Sequence, residues 1–383
     1  MRLSKARYKL VGDLLPFDER DNVQARNTLE PGTADYLDFY ARHPEWRDKD
    51  DQIRALPGMG RVGDPLDALL LANEMETLLR FSGEDVVDGP AAGEQLAISP
   101  ERAAEKVKAF ARHLGADLVR IGPLNPAFVY TNIGKTWHDP ARSFGQPITV
   151  THKNAVSIAV GLNPRMIETG PVLSEVVEVM RVYGKLAMIS TTLAAYIRSL
   201  GYPARAHVMP NYRVLCVPVA IDAGMGELGR HGLMITKELG SCLKLTTVTT
   251  DLPLVFDSPV DIGIDEFCRD CRICAEACPS GAIPQGSKKV VRGVEKWAIN
   301  PEACFTVWNE TGTDCGVCVG SCPWTNPRTP FHRFSVEVAS RKRKAGWWMS
   351  RADKIFYGRF KPKPSPSWFE ESDPTWKKYK RLR

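Results

Sequence analysis

The spacing of apolar residues predicts a chain in which helices and strands alternate. Apolar positions recur at helical spacing over 65–81 and over 172–200. Ser99 followed by Pro100 predicts the start of another helix, which ends at Gly115, because serine caps a first turn and proline fits where no N–H donor is needed. Four apolar runs predict strands, at 117–122, 155–161, 214–219 and 243–249. This alternation predicts an α/β or α+β layer architecture.

The same pattern divides the chain into four predicted parts. Residues 1–98 form an N-terminal extension that is largely polar apart from its apolar helix. Residues 99–260 hold the alternating helices and strands. Residues 261–330 contain a cysteine-rich segment, and residues 331–383 form a basic tail. The tail is predicted to be helical as far as residue 358 and then extended and proline-rich.

Eight of the ten cysteines lie in one stretch, and each half of that stretch ends in C-x3-C-P. The first half, C-x2-C-x2-C-x3-C-P, is the bacterial ferredoxin pattern, in which the fourth cysteine ligates the neighbouring [4Fe–4S] cluster. The two halves therefore predict two clusters with crossed ligands. The first cluster is expected to take Cys268, Cys271, Cys274 and Cys322. The second cluster is expected to take Cys278, Cys304, Cys315 and Cys318.

Zinc and disulfide bonds are weaker interpretations of these cysteines. Zinc sites favour paired C-x2-C knuckles separated by a longer loop, and three thiolates at consecutive x2 spacings crowd one tetrahedral ion. Disulfides need an oxidising compartment, which nothing in the sequence indicates. Ten residues separate Cys304 from Cys315, more than a minimal ferredoxin needs. We expect this insert, 305–314 with Trp308, to be a loop through which one cluster faces something other than a soluble partner.

Charge is distributed unevenly along the 383 residues, whose net charge is +6. From residue 331 onward, 15 Lys and Arg stand against 5 Asp and Glu, so the tail carries +10 and the rest of the chain −4. No apolar run reaches the roughly 18 residues of a membrane span. The N-terminus shows neither an apolar signal segment nor a twin-arginine pair. We therefore expect a cytoplasmic protein whose basic tail, with Trp347 and Trp348, is suited to peripheral contact with the inner face of the membrane.

A glycine-dense loop matches G-x-G-x-x-G literally. A dinucleotide fingerprint needs a long helix after the motif, and Gly232 and Gly240 would interrupt a helix here. We instead expect the loop backbone to approach a large flat ligand, since missing side chains leave room for it. The predicted cofactor contacts in this loop are Gly224, Gly226, Gly229, Arg230 and Gly232.

Three polar residues outside the cysteine-rich segment are candidates for chemistry, and each also has a simpler explanation. Tyr183 precedes Gly184 inside the longest predicted helix, either as a core tyrosine at a helix–helix contact or as a phenol beside the space for a cofactor. Lys244 lies between apolar residues, either on the solvated face of a strand or as a cation that stabilises a nearby phenolate. Asn211 follows Pro210 and suits an Asx turn.

Several longer stretches resemble the catalytic subunits of the corrinoid-dependent reductive dehalogenases. They include Tyr183-Gly-Lys-Leu, Gly224 through Gly240, Thr250-Asp-Leu-Pro, and the cysteine-rich segment with its tryptophans. The likeness covers about residues 100–358 and is weaker nearer the N-terminus. It implies that residues 99–260 are a nitroreductase-like core that binds base-off cobalamin. It also implies that residues 261–330 are a ferredoxin-like domain with two [4Fe–4S] clusters.

The resemblance also implies a reaction. Electrons would pass from the distal cluster to the proximal one and on to cobalt, Co(I) would attack an organohalide, and the halide would leave. Tyr183 matches the proton donor of the family, Lys244 the lysine or arginine that supports it, and Asn211 an asparagine present in some members. Gly184 and Trp308 are expected beside the cofactor. The expected electron donor is ferredoxin-like, flavodoxin-like or membrane-bound, and nucleic acid is not an expected partner.

Epoxyqueuosine reductase is the main alternative, because it shares cobalamin, both clusters and a similar tyrosine region. Its pattern places an aspartate directly before the tyrosine, where this chain has Val182. Bacterial forms often add a helical-repeat domain that holds transfer RNA, for which the 61 residues after Cys322 are too few. A second alternative is an iron–sulfur electron carrier without catalysis, and the presence of both Tyr183 and Lys244 argues against it.

Overall fold

The computed structural model describes residues 8–136, 142–325, 330–341, 345–370 and 375–382. The strands are β1 (Lys9–Leu10), β2 (Leu118–Pro123), β3 (Asn154–Gly161), β4 (Ala204–His207), β5 (Glu227–Leu228), β6 (Met234–Ile235), β7 (Leu243–Thr250), β8 (Lys289–Val291) and β9 (Val294–Lys296). The α-helices are α1 (Val23–Arg26), α2 (Ala34–Arg42), α3 (Pro44–Arg54), α4 (Pro65–Leu79), α5 (Glu84–Val87), α6 (Pro100–His113), α7 (Pro164–Ile167), α8 (Leu173–Ser199), α9 (Cys216–Asp222), α10 (Ile264–Cys271), α11 (Ile273–Ala277), α12 (Pro301–Thr311), α13 (Val317–Gly320), α14 (Pro330–Arg341) and α15 (Ala345–Tyr357).

A four-stranded antiparallel sheet in the order β2-β3-β7-β4 forms the centre of the structure. Alternation along β3 places Val156, Ile158 and Val160 in the cluster of apolar side chains that includes the buried face of α8. Ala155 and Ala159 point the other way, into clusters that include residues of α9. The sheet is therefore covered by α8 on one face and by α9 on the other, which confirms the predicted mixed α/β architecture.

Helix α4 packs along α8. A Cβ at Gly184 would lie 3.9 Å from the backbone nitrogen of Leu78, so this glycine lies at the contact between the two helices. The remaining N-terminal segment is joined to the cysteine-rich segment, since β1 pairs with β9 and the Arg26 guanidinium lies 2.7 Å from the Glu302 carboxylate. Residues 8–98 thus pack against both the sheet and the cysteine-rich segment.

Two of the predicted elements are wrong. The apolar run 214–219 does not form a strand; its second half begins helix α9, and Val214 makes only an isolated bridge to Val129. The insert 305–314 is not a loop, because most of it belongs to helix α12. The side chain of Asn300 caps that helix by accepting a hydrogen bond from the Ala303 N–H, and Gly312 ends it in a left-handed conformation.

The tail begins with helices α14 and α15, as predicted, and α15 packs on α10. Its last residues return to the body of the molecule, where Leu382 is fully buried and Arg381 Nη1 donates a hydrogen bond to the Cys278 carbonyl oxygen. The tail also contains the basic run Arg341-Lys-Arg-Lys344, which lies outside the residues whose side chains are described. Among the described helices, none is long and apolar enough to cross a membrane.

Candidate active site and cluster-binding cysteines

The cysteines of the cysteine-rich segment separate into two quartets that line two different cavities. The first cavity is lined by Cys268, Cys271, Cys274 and Cys322. The second cavity is lined by Cys278, Cys304, Cys315 and Cys318. This partition is the one that crossed ligation between two C-x3-C-P halves predicts.

Short helices and left-handed turns aim each set of thiols at a common space. Helix α10 carries Cys268 and Cys271, and α11 carries Cys274. Between the two helices the φ angle of Arg272 is +58°, and in the second half the φ angle of Cys315 is +75°. Residues other than glycine rarely adopt a positive φ angle, so at Arg272 and Cys315 the backbone conformation is imposed by the surrounding site.

The quartets suit iron–sulfur clusters better than zinc. Within the described residues, no three His, Cys, Asp or Glu side chains converge on a point that one metal ion could occupy. The thiols surround a space instead, as expected when four thiolates bind four different irons. Beside Cys322, the buried Trp324 Nε1 and Ser321 Oγ have no hydrogen-bond partner among the described residues. Buried donors need acceptors, and the sulfur atoms of a cluster would supply them.

The second quartet opens onto a cavity of about 520 Å³ between the sheet core and the cysteine-rich segment. Its walls include many apolar and aromatic side chains, among them Tyr130, Tyr183, Tyr212, Leu245, Phe305 and Trp308. Among the described residues, the ionisable side chains of its lining other than tyrosine and cysteine are Lys135, Glu175, His231, Lys244 and Asp314. A large, mostly apolar space with a few polar groups is the usual form of a cofactor or substrate site.

Tyr183 of α8 and Lys244 of β7 meet on the wall of this cavity. The Lys244 ammonium lies 5.2 Å from the centre of the Tyr183 ring. It also lies 3.5 Å from the Asp314 carboxylate. Burial opposes the charge on Lys244, but Tyr183, Asp314 and Glu175 together raise the pKa of its ammonium above its usual value. Lys244 is therefore a stable cation next to the phenol.

A buried carboxyl pair supports Lys244 from behind. Glu175 is 1% exposed, and burial followed by the neighbouring Asp314 carboxylate raises the pKa of Glu175 well above its usual range. The raised pKa favours the neutral form of Glu175, and Asp314 is the ion-pair partner of Lys244. Sequence reasoning missed both carboxyl residues, because Glu175 lies in an ordinary helical pattern and Asp314 stands beside a cysteine.

Two further residues on the cavity wall were not predicted. Burial, with Tyr183 as the next contributor, raises the pKa of Tyr212 well above its usual value, and the two phenols share a hydrogen bond. His231 Nδ1 accepts a hydrogen bond from the Leu233 N–H, which leaves the proton on Nε2. That Nε2 has no partner among the described residues, and burial lowers the pKa of His231 to about 4. Neutral His231 therefore offers a donor to a bound group.

The structure places Asn211 away from the cavity, in contrast to its predicted catalytic role. Asn211 is fully buried, its Nδ2 donates to the Ser82 carbonyl oxygen and its Oδ1 accepts from Arg205. These contacts fasten the segment that carries its neighbour Tyr212. Among the described residues, Asn211 is thus part of the framework beside Tyr212 and not of the cavity lining.

The predicted cofactor contacts of the glycine-dense loop are also placed differently. Arg230 lines the first cavity, where it stacks on Trp297 and donates to the Cys268 carbonyl oxygen at 2.9 Å. The glycines pack against protein: added Cβ atoms would meet Ser258, Ile235, His231 and Ile299 at Gly224, Gly226, Gly229 and Gly232 respectively. Their neighbours His231, Leu233 and Met234 line the second cavity instead. Gly184 faces α4, whereas Trp308 lines the second cavity.

Comparison with known proteins agrees with this geometry. Residues 267–326 match the family model described as a 4Fe-4S dicluster domain. The tetrachloroethene reductive dehalogenase of Sulfurospirillum multivorans is 31% identical over 258 residues, which are 59% of this chain and 51% of that protein. The epoxyqueuosine reductase of Cyclobacterium marinum is 29% identical over 134 residues, 33% of this chain and 42% of that protein.

Solved structures resemble the chain over nearly its whole length. The catabolic reductive dehalogenase NpRdhA, in complex with 3-bromo-4-hydroxybenzoic acid, superimposes with a TM-score of 0.78 at 25% identity, covering 97% of this chain and 51% of that one. A reductive dehalogenase described as B12-dependent superimposes with a TM-score of 0.74 at 26% identity, covering 93% of this chain and 48% of that one.

The fold and the site define a protein that joins an α/β cofactor-binding core to a two-cluster iron–sulfur module. In sequence and fold the chain is a homologue of the corrinoid-dependent reductive dehalogenases, and it spans about half the length of the relatives it matches. Two [4Fe–4S] clusters and a corrinoid are the cofactors of this group. The residues fit them: two cysteine quartets are present, and the second faces a large, mostly apolar cavity with the His231 donor.

Proposed function

We propose that the chain catalyses the reductive removal of halide from an organohalide. In this reaction the carbon–halogen bond breaks, two electrons and one proton are taken up, and a carbon–hydrogen bond forms as the halide ion leaves. The observation that carries the proposal is the shared cavity: Tyr183, Lys244 and the second cysteine quartet all line it. A proton donor and an electron source thus face one space.

Tyr183 is the proposed proton donor. Loss of its proton leaves a phenolate, and the Lys244 ammonium above the ring stabilises that charge. Asp314 holds Lys244 in place, and the buried Glu175 lies beside Asp314. The apolar walls keep water away from the reacting carbon. When bound, the corrinoid would supply cleavage of the carbon–halogen bond, and the clusters would supply the electrons.

The first quartet is the proposed entry point for electrons. Cys268 and Cys271 lie on α10, whose exposed Arg269 is 3.4 Å from the Asp270 carboxylate, and Arg272 lines the first cavity. A ferredoxin-like or flavodoxin-like carrier is the proposed donor, and stopped-flow absorbance of the clusters measures its electron transfer.

Contact of the tail with a membrane surface is a further part of the proposal. On α14 and α15, apolar side chains are exposed at Phe334 (68%), Trp348 (69%), Ile355 (80%) and Phe356 (77%). Such side chains, next to a tail of charge +10, suit an anionic lipid surface. We expect the protein to float with phosphatidylserine vesicles and the double variant Trp348→Ser, Ile355→Ser to lose this binding. Equal flotation of wild type and variant would contradict it.

The function is tested by anaerobic reconstitution with cobalamin, iron and sulfide, followed by halide release from a panel of aryl and alkyl halides with reduced viologen. Tyr183→Phe should lower the rate at least about 100-fold, because general acid catalysis contributes at least that much. Tyr196→Phe is the matched control, since this tyrosine lies on the same helix but packs on Phe110. Both variants must retain normal iron and corrinoid content.

Bound corrinoid without halide release from any substrate would overturn the dehalogenase proposal and point to another reduction. Failure to bind corrinoid would leave an iron–sulfur electron carrier. Halide release at the wild-type rate in Tyr183→Phe would remove Tyr183 from the mechanism.

A further inference from the structure

The cavity contains a second lysine that the proposed reaction does not use. Lys135 is 8% exposed and lines the cavity. Among the described residues its ammonium takes part in no salt bridge and no side-chain hydrogen bond. Buried charges are costly without a partner, so an unpaired buried ammonium needs an explanation.

The loop around Lys135 is fixed by its own hydrogen bonds. The backbone N–H groups of Gly134 and Lys135 both donate to Glu19 Oε2, at 2.9 Å and 3.2 Å. A Cβ at Gly134 would lie 2.5 Å from the Glu19 backbone, so only glycine permits this approach. The Ile133 N–H donates to Gln146 O, which ties down the other end of the loop. The backbone that carries Lys135 is therefore fixed by contacts within the protein.

The neighbouring charges do not neutralise Lys135. Glu19 accepts the two loop N–H groups and also lies 3.8 Å from the Arg142 guanidinium, whose positive charge offsets it. Burial, the largest contributor, lowers the pKa of Lys135. Elsewhere in the cavity, the Asp314 carboxylate is paired with Lys244. Among the described residues, Lys135 is thus a lysine of the cavity wall without an ion-pair partner.

We propose that Lys135 anchors an anionic oxygen group of the substrate, so that the substrate class is halogenated aromatic acids, carboxylates or phenolates. This proposal rests on the proposed function. An apolar cavity with aromatic walls accepts an aryl ring, and a desolvated ammonium prefers a carboxylate or phenolate to a neutral group. The anion would fix the ring, and so the position of the halogen relative to Tyr183, by a contact away from the reacting carbon.

The test measures ligand binding rather than turnover. Reconstituted, oxidised holoenzyme is titrated by calorimetry with 3-bromobenzoate and with its neutral analogue 3-bromobenzamide, and likewise with 2,6-dibromophenolate and 2,6-dibromoanisole. Wild type should bind the anion of each pair more tightly. Lys135→Met should weaken only the anions, by roughly 10- to 100-fold, the range of one charge-assisted hydrogen bond. Lys135→Arg should retain most of the preference.

Lys296→Met is the matched control, because Lys296 is a partly buried lysine on β9 outside the cavity lining. Iron and corrinoid content are measured in every variant. Equal binding of acid and neutral analogue by wild type would overturn the proposal and needs no variant at all. Loss of corrinoid in Lys135→Met, with the anion preference of the remaining holoenzyme intact, would instead assign Lys135 to the phosphate of the corrinoid. Anion binding without halide release would contradict the dehalogenase proposal and still support the anion site at Lys135.

Discussion

At the scale of single residues, the site depends on a row of side chains that passes from a neutral acid to a phenol. Glu175 lies beside Asp314, the Asp314 carboxylate is 3.5 Å from the Lys244 ammonium, and Lys244 lies above the ring of Tyr183. The Lys244 cation is thus placed to stabilise a phenolate on Tyr183.

Lys244 is therefore expected to be needed for the rate of protonation. Lys244→Met should lower halide release by roughly 10²-fold, because the phenolate left on Tyr183 loses its cation. Lys244→Arg should recover part of the rate. Steady-state halide release at matched cofactor content measures this, with Lys185→Met on α8 as the control. A Lys244→Met enzyme with full activity would show that the phenolate needs no cation.

At the scale of elements, a buried ion-pair network fastens α5 to β4 and to the segment that carries Tyr212. Arg205 of β4 is 1% exposed and binds both carboxylate oxygens of Glu84, at 2.6 Å and 3.0 Å. Arg213 contacts the same carboxylate, and Asn211 donates to it at 3.2 Å. Asn211 thereby contributes to the site as part of this framework.

This network predicts a dependence of stability on pH. Burial opposes the charge of Glu84, but the arginines and Asn211 lower its pKa from 4.5 to about 2. A depressed folded-state pKa contributes stability that is present above about 4.5 and is lost as the pH falls toward 2. Glu84→Gln should therefore lower the melting temperature by roughly 3 °C at neutral pH. The difference in melting temperature between wild type and Glu84→Gln should become smaller below about pH 4.5.

Thermal unfolding followed by circular dichroism at a series of pH values measures this difference. Glu105→Gln is the control, because Glu105 pairs with Arg102 at an exposed site, where an ion pair contributes little. A difference in melting temperature that stays constant down to acidic pH would contradict the proposed role of Glu84.

Elements were predictable from sequence where the apolar pattern was long and its ends were marked. The helix that became α8 and the strand that became β3 are of this kind. The structure of 214–219 was not predictable in this way, because a short buried apolar segment has the same pattern in a strand and in a helix. Here Pro218 lies in the first turn of α9, where its missing N–H costs nothing. The ends of α12 are marked in the sequence by Asn300 and Pro301 at its start and by Gly312 at its end, although the helix lies between two cluster cysteines.

At the scale of the whole molecule, cysteine spacing was enough to predict which thiols share a space, because crossed ligation is a property of the motif. The rest of the site was not predictable in this way. Lys135, Glu175, Tyr212 and Asp314 are far apart in sequence and become neighbours only when α8, the sheet and the cysteine-rich segment enclose one cavity. Spacing along the chain holds no information about such contacts.

Removal of one cysteine of the second quartet should affect one cluster and leave the other in place. Cys304→Ala is expected to lower the iron content by about half and to abolish halide release, because the cluster beside the cavity loses a ligand. Cys242→Ala is the control, since this buried cysteine lies outside both quartets. Iron analysis and electron paramagnetic resonance of the reduced proteins distinguish the Cys304→Ala variant from the Cys242→Ala control. Full iron content in Cys304→Ala would place that cysteine outside the cluster.

In the proposed reaction, Tyr183 delivers the proton that replaces a departing halide. The most direct measurement is a single turnover in D₂O by the reconstituted wild-type protein and Tyr183→Phe, with halide counted by ion chromatography and product examined by mass spectrometry. The account predicts one halide ion per product molecule, one deuterium at the carbon that lost the halogen, and a rate that falls at least about 100-fold in the variant. Product without halide, or an unchanged rate in Tyr183→Phe, would contradict it.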